Sequence, residues 1–298
     1  MSKPKDPRKH HYVPQFYLRN FCCHDDENKV PSLSRHNHFL IKKRSSIGNI
    51  GYEDYLYKIS DKDIEFCIEK YLNTDIETPF SQSETWKKIS DNTPELLTKN
   101  DKFILYIFIR HLESRNIETL EFLKIEQQRV TDPKYINEYS GSERRMHAEL
   151  GFIPNGIANF YLGMSGSVEQ YFEAFEKVSI SILGSKIPLR ISTNPVVNVP
   201  ISTFKNEIFD PNRTTKWFPM TPYAGVMLHM NPDYHDFSSY QVVENNVIRT
   251  LNRLYLVQLL ESKTTRHMIA NDDYLEDDLK WAGLQIDYKN PRKFRFPT

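Results

Sequence analysis

The hydrophobic pattern of the chain changes period three times. Near the start, alternating apolar and polar positions predict strands at Ser32–Arg35 and Phe39–Lys42, and a third at Leu56–Ile59. From Asp61 the spacing turns helical: Ile64, Ile68, Tyr71 and Leu72 share a stripe, with Asp61 placed to cap it. Further helices are predicted at Glu84–Ile89, Met146–Leu150 and Val168–Val178. The strongest runs from Lys102 to Glu126 behind a cap at Asp101. Alternation returns at Ser179–Leu183 and Leu189–Thr193, then at Phe218–Pro222 and Ala224–Met230. Val243, Val247, Leu251, Leu254 and Val257 restore helical spacing over Tyr240–Leu260, and a basic, aromatic tail follows at Pro291–Thr298. These elements predict an α+β fold, a helical middle packed with a mixed or antiparallel sheet from N-terminal and C-terminal strands. A single domain over 1–298 is expected, with sub-regions at 10–60, 61–178 and 179–298.

One block stands outside this alternation. His10-His11-Tyr12-Val13-Pro14-Gln15-Phe16-Tyr17-Leu18-Arg19-Asn20-Phe21 packs aromatic rings and polar donors more densely than a loose N-terminal tail would. Pro14 disfavours helix at Val13 and suits the first position of a short helical turn reaching Asn20. Gln15 and Arg19, four residues apart, then share a face of that turn.

Composition narrows the options. The 298 residues carry 39 Lys plus Arg against 39 Asp plus Glu, so no global field points to nucleic acid or to a membrane surface. Local basic clusters such as Lys42-Lys43-Arg44 read as solvated faces. Cys22, Cys23 and Cys67 form neither a disulfide framework nor a zinc spacing, which fits a reducing cytoplasm. The start lacks the apolar core of a secretory signal, and Phe103–Ile109, the longest apolar stretch, is too short to span a bilayer. With 10 glycines and no glycine-rich phosphate loop, a dinucleotide fingerprint is excluded.

Several constellations could carry chemistry. His10 and His11 could move protons, hold a metal or meet phosphate. Arg19 could grip a phosphate, or pair with a structural acid such as Glu53. A comparison with the HNH nuclease hairpin, using Asn28, His36 and His38, fails because the expected hairpin-to-helix layout is missing. Arg19 and His24 match a loose Arg-x4-His pattern found in helical ribonucleases, but not inside a long helix. Glu65, Glu69, Asp75 and Glu77 form an acidic cluster that reads as a solvated face paired with Lys62 and Lys70. Arg110, His111 and Arg115 interrupt an apolar helix, and a buried arginine there must find carboxylate or phosphate. Ser192-Thr193-Asn194-Pro195 reads as an exposed, rigid turn offering hydroxyls and an amide.

The opening block resembles the hallmark start of the family known as domain of unknown function 4238. Later features fit the same pattern in order. They are Tyr52-Glu53-Asp54-Tyr55-Leu56-Tyr57, the pairs Ile68-Glu69 and Ile76-Glu77, Arg110 and Arg115, Ser192-Thr193-Asn194-Pro195-Val196, and Phe218-Pro219-Met220-Thr221-Pro222. The resemblance covers nearly the whole chain and brings no established activity. Relatives commonly place aspartate where this chain has Thr193, which puts in doubt any catalytic or metal-binding role at that position.

The resulting expectation is a polar site built from the opening block, the arginine-bearing helix and the Ser192–Asn194 turn. It would serve a nucleic-acid-directed hydrolase, nuclease or effector acting on a phosphate-containing substrate, in bacterial anti-phage defence or toxin biology. His11 would act in acid/base chemistry, Arg19 and Arg115 would stabilise phosphate, and Asn194 would orient it. His10, Gln15, Arg110 and Ser192 would bind substrate. No metal ligands are assigned, a divalent metal is an open option as cofactor, and nucleic acid or a partner protein are the candidate partners. The alternatives are a non-catalytic protein-interaction or nucleic-acid-binding module and a small-molecule phosphoesterase.

Overall fold

The computed structural model describes residues 7–59, 67–132, 134, 141–153, 155–200, 215–230, 240–287 and 289–296. Strand β1 (Lys9–His11) leads into the short helix α1 (Gln15–Arg19); β2 (Lys29–His36) and β3 (Phe39–Ser46) form a hairpin; β4 (Tyr52–Asp54) returns to pair antiparallel with β1. A helical layer follows: α2 (Ile68–Tyr71), α3 (Thr78–Ser81), α4 (Glu84–Ser90), α5 (Lys99–Arg115), α6 (Ile117–Val130), α7 (Gly141–Gly151), α8 (Gly156–Met164) and α9 (Val168–Phe175). A π turn over Leu72–Glu77 joins α2 to α3. Next come β5 (Val178–Gly184), β6 (Ile191–Ser192), β7 (Val197–Val199), β8 (Thr215–Thr221), β9 (Ala224–Met230) and β10 (Tyr240–Val242). The long helix α10 (Asn245–Glu261), β11 (His267–Ile269), α11 (Leu275–Trp281), β12 (Gln285–Asp287) and β13 (Asn290–Arg295) complete the order.

The strands build an α+β architecture with three sheets. One is the β1–β4 pair; one has five strands in the order β10-β5-β9-β8-β7; one has six in the order β12-β13-β3-β2-β11-β6. All pairings are antiparallel except β10 with β5, so the sheet is mixed, as the sequence pattern predicts. N-terminal and C-terminal strands do interleave: β2 and β3 sit between β11 and β13. The chain passes from one large sheet to the other through Thr193–Val196, because β6 edges the six-stranded sheet and β7 edges the five-stranded one. That crossing is why the Ser192-Thr193-Asn194 turn is buried and not exposed.

Three predicted elements change, the first being the helix expected over Tyr240–Leu260, where Tyr240–Val242 is strand β10 and α10 begins at Asn245. The single helix from Lys102 to Glu126 is two helices. Thr98 and Asp101 form a reciprocal capping box at the start of α5, so Asp101 is the third helical residue and not the cap. The helix stops at Asn116, whose side chain accepts the Glu118 backbone N–H at 3.0 Å and starts α6. The strand predicted at Leu56–Ile59 is a turn, and β4 lies just before it. The predicted cap at Asp61, with Ile64, falls outside the described residues.

Three apolar clusters organise the interior. The first gathers the opening block, α5 and one face of the five-stranded sheet; the second packs the six-stranded sheet against α10 and α11; the third lies within the helical layer. Tyr17, Leu18 and Phe21 belong to the first, so the dense opening block is core and not tail.

Candidate functional site

The opening block is held at both ends. Gly51 accepts the backbone N–H groups of Tyr12 and Val13 at 2.7 and 3.1 Å. Beyond Pro14 the chain turns into α1, and Tyr17 donates its hydroxyl hydrogen to the Pro219 carbonyl at 2.7 Å. The Asn20 amide donates to the Met220 carbonyl at 3.0 Å. The ring of Phe16 meets those of Phe80, Trp86 and Phe108, which fixes α1 against α4 and α5. These contacts join the first motif of the chain to the Phe218–Pro222 segment two hundred residues later.

Behind β1 lies a buried polar cluster. Arg115, the last residue of α5, is fully buried and forms ion pairs with Glu77 and, at 3.3 Å, with Glu69; it also donates to the His11 carbonyl. Glu69 accepts the His11 backbone N–H at 3.0 Å through its other oxygen. Glu69 and Glu77 stand eight residues apart, which a regular α-helix would leave about 80° out of line. The intervening π turn closes its hydrogen bonds over a wider loop and turns less per residue, so both carboxylates reach one guanidinium. The acidic face that the sequence reads as solvated is therefore interior at these two positions, while Glu65 and Lys62 fall outside the described residues.

Two histidines adjoin this cluster. His11 is half-buried, with its Nε2 3.1 Å from Gln15 Nε2, and burial together with the Arg115 charge pushes its imidazole down to about 4. His111 is fully buried, its Nδ1 2.7 Å from Ser165 Oγ and its Nε2 4.0 Å from Glu77 Oε1. Ser165 gives its own hydrogen to the Leu162 carbonyl, so its oxygen is the acceptor for His111 Nδ1–H. Burial pushes His111 down to about 4 as well. His10 is buried, stacked on Tyr57, and accepts the Tyr57 backbone N–H at 3.0 Å.

The buried turn carries a second group. Ser192 Oγ accepts the Asn194 backbone N–H at 3.0 Å and lies against Gln258 Oε1, so its hydroxyl is committed within the turn. Thr193 accepts the Arg266 backbone N–H and faces the Tyr12 hydroxyl, tying this turn to the opening block. The Asn194 side chain lines a cleft of about 350 Å³ with Glu113, Lys216 and Gln258. Arg110 reaches Glu113 at 2.6 Å, and Lys216 pairs with the other oxygen of the same carboxylate.

Arg19 lies elsewhere. It is exposed at the end of α1 and lines a cleft of about 250 Å³ with His24, Cys22, Glu27, Tyr223 and Asn271. Among the described residues neither Arg19 nor His24 has a hydrogen-bond or ion-pair partner for its side chain. Glu53, the acid that Arg19 could have met, pairs with Arg266 at 2.8 Å. Cys22 is held by a thiol contact to the Glu27 carbonyl at 3.0 Å, and burial pushes its thiol up to about 11, which removes it as a nucleophile near neutral pH.

The expected site is thus divided. His11, Gln15 and Arg115 come together; Asn194 lines the larger cleft with Glu113, to which Arg110 is paired from outside it; Arg19 opens onto the smaller one. Arg115 cannot serve as a phosphate clamp because two buried carboxylates already hold it. His10, Arg110 and Ser192 are likewise committed to Tyr57, Glu113 and the turn. Sequence reading misses Glu69 and Glu77 as arginine partners, although the burial of an arginine in α5 calls for such acceptors. It also misses the buried Arg190, held bidentately by Asp272 at 2.6 Å and by Asp278 at 2.9 Å. Asp278 further joins Arg249 and Arg253 of α10.

Every segment that carries the family resemblance meets the opening block or the cluster behind it. Residues 9–259 match the family described as Protein of unknown function (DUF4238), and the chain belongs to that family. No curated protein and no solved structure matches it. Among the described residues no group of three or more His, Cys, Asp and Glu side chains is arranged to hold a metal ion, and no helix is long and apolar enough to cross a membrane.

Proposed function

We propose that the protein is a nucleic-acid-directed phosphodiesterase working from the cleft at the end of α1. One observation carries this reading: Arg19 and His24, whose side chains have no hydrogen-bond or ion-pair partner among the described residues, line the same cleft. A guanidinium suits a phosphate bidentately and stabilises charge that develops as the ester is cleaved. The imidazole can move a proton at the reacting oxygen. Tyr223, 44% exposed on the β8–β9 turn, offers a ring for a base to stack on. With RNA the 2′-hydroxyl is the nearest nucleophile. His24 takes its proton, the oxygen forms a bond to phosphorus, the P–O5′ bond breaks, and the leaving oxygen takes the proton back from the imidazolium. The His11–Arg115–Glu69–Glu77 cluster then serves to hold the opening block in place.

The purified chain is incubated with tRNA, rRNA, single-stranded DNA and duplex DNA, with and without Mg²⁺ or Mn²⁺. Cleavage that disappears in Arg19→Ala and His24→Ala supports the reading. All four substrates left intact would overturn it, and cleavage confined to nucleotides or sugar phosphates would move the substrate to small molecules. A non-catalytic interaction module is favoured by a different feature: the helical layer exposes Phe152, Ile125, Phe172 and Phe122 at 58–80%. Intact substrates together with a partner that protects these side chains would establish that alternative.

A further inference from the structure

The larger cleft, between β7 and the junction of α5 with α6, is separate from Arg19 and His24 and has its own chemistry. Asn194 is the informative residue. It exposes only 9% of its surface, lines the cleft, and its side-chain amide has no hydrogen-bond partner among the described residues. The amide atoms themselves reach solvent in the cleft, so a ligand with matching groups can pair with them in place of water. The rest of the turn is tied down: the Asn194 backbone N–H meets Ser192 Oγ, the Thr193 N–H meets the His267 carbonyl and the Tyr255 hydroxyl meets the Pro195 carbonyl. The open amide is therefore a feature of the cleft and not of a loosely packed turn.

The walls restrict what can enter. Glu113 is already paired with both Lys216 and Arg110, and Glu118 adds a second carboxylate, so the lining offers no spare positive charge for a phosphate. The start of α6 is no anion site either, because Asn116 caps it from within. Val196, Leu254 and Val257 supply apolar surface, and Gln258 presents an amide whose oxygen is taken by Ser192 and whose NH₂ has no partner among the described residues. Glu118 accepts the Ser262 and Thr264 hydroxyls on one oxygen at 2.7 and 3.0 Å, and its second oxygen is open to another hydroxyl. A planar amide beside apolar walls pairs with a ring edge that carries donor and acceptor side by side, as asparagine does with the N6/N7 edge of adenine. A volume of about 350 Å³ takes a ring with an attached sugar.

We infer that this cleft binds a nucleoside, with the Asn194 amide reading the base edge, the apolar walls flanking the ring and Glu118 accepting a ribose hydroxyl. An unphosphorylated nucleoside is preferred to its 5′-monophosphate because of the carboxylates.

The test uses the full chain and titrates adenosine, guanosine, cytidine, uridine and their 5′-monophosphates by calorimetry and thermal shift. One nucleoside binds 1:1 and its monophosphate binds at least tenfold more weakly. Asn194→Ala weakens that nucleoside at least tenfold and leaves the ligand-free melting temperature unchanged, since the amide has no hydrogen-bond partner among the described residues to lose. Val257→Phe, which fills the cleft with a bulkier ring, blocks binding in a chain that keeps Asn194. Absence of nucleoside binding at millimolar concentration, equal binding by Asn194→Ala, or a monophosphate bound as tightly as its nucleoside each overturns the assignment. Preference for extended peptides over nucleosides overturns it too. The outcome is distinguishable from that for the Arg19–His24 cleft, because the two clefts share no lining residue.

Discussion

The Arg115 guanidinium stands 3.3 Å from the Glu69 carboxylate, with both side chains at most 4% exposed. The pair joins the end of α5 to α2, and through the His11 backbone it fastens the first strand of the chain. Two carboxylates face one guanidinium here, so removing the cation leaves uncompensated buried charge. Arg115→Ala is expected to lower unfolding free energy by about 3–5 kcal/mol. Glu69→Gln and Glu77→Gln placed in an Arg115→Met background should recover part of that loss, because replacing a whole buried ion group is far less costly than breaking it. Urea denaturation reads both results. A wild-type midpoint for Arg115→Ala would rule out this role.

Gly51 adopts φ +66°, and a Cβ there would lie 2.7 Å from the Val13 Cβ. Its carbonyl also accepts two backbone N–H groups of the opening block. Gly51→Ala combines left-handed strain with a clash against a fully buried side chain, and a cost of about 1–3 kcal/mol is expected. The denaturation midpoint should fall while α10 and its contacts persist. An unchanged midpoint would contradict the docking described for Tyr12 and Val13.

Acid should destabilise the fold through histidine before it does so through carboxylates. Burial, with neighbouring positive charge in two of the three cases, holds His11, His111 and His267 at about 4, against 6.5 for an unperturbed imidazole. Between those values the unfolded chain binds more protons than the folded one. Their contribution is therefore complete above pH 6.5, declines as pH falls towards about 4, and then levels off. The half-buried His11 contributes the smallest share because solvent screens it. Below pH 3.8 the loss continues through Asp101: burial raises its carboxyl, but hydrogen bonds from Lys88, Thr98 and Thr85 outweigh this and hold it at about 2. Urea midpoints measured from pH 8 to pH 4 should fall from about pH 6.5 downward. A flat profile between pH 6.5 and 5 would refute buried, neutral histidines.

Period and caps made much of the architecture legible in the sequence. The hairpin of β2 and β3, the α4 helix and the β8–β9 pair follow directly from alternation or helical spacing. The α+β class follows from their order. The break at Asn116 was harder to read because apolar residues continue in register past it; only the capping propensity of asparagine marks the boundary. The burial of Glu69 and Glu77 could not be read from spacing, since it depends on a π turn that no local pattern announces. Buried arginine supplied the one usable clue: a cation inside an apolar helix implies acceptors somewhere else in the chain. Which of the polar residues in the opening block would stay unpaired was decided by tertiary packing. His11 and Arg115 are consumed by each other's neighbours, whereas Arg19, one turn beyond Gln15 at the end of α1, lines a separate cleft.

That division between a structural cluster and an open cleft is tested most directly by one comparison, the rate at which wild-type protein and Arg19→Ala cleave end-labelled RNA, measured beside their melting temperatures. Loss of one charge-stabilising donor should reduce the rate by about 10²–10³-fold, with the melting temperature unchanged because the Arg19 side chain has no hydrogen-bond or ion-pair partner among the described residues. Cleavage by Arg19→Ala at the wild-type rate, or no cleavage by the wild-type chain, would contradict the placement of function in this cleft.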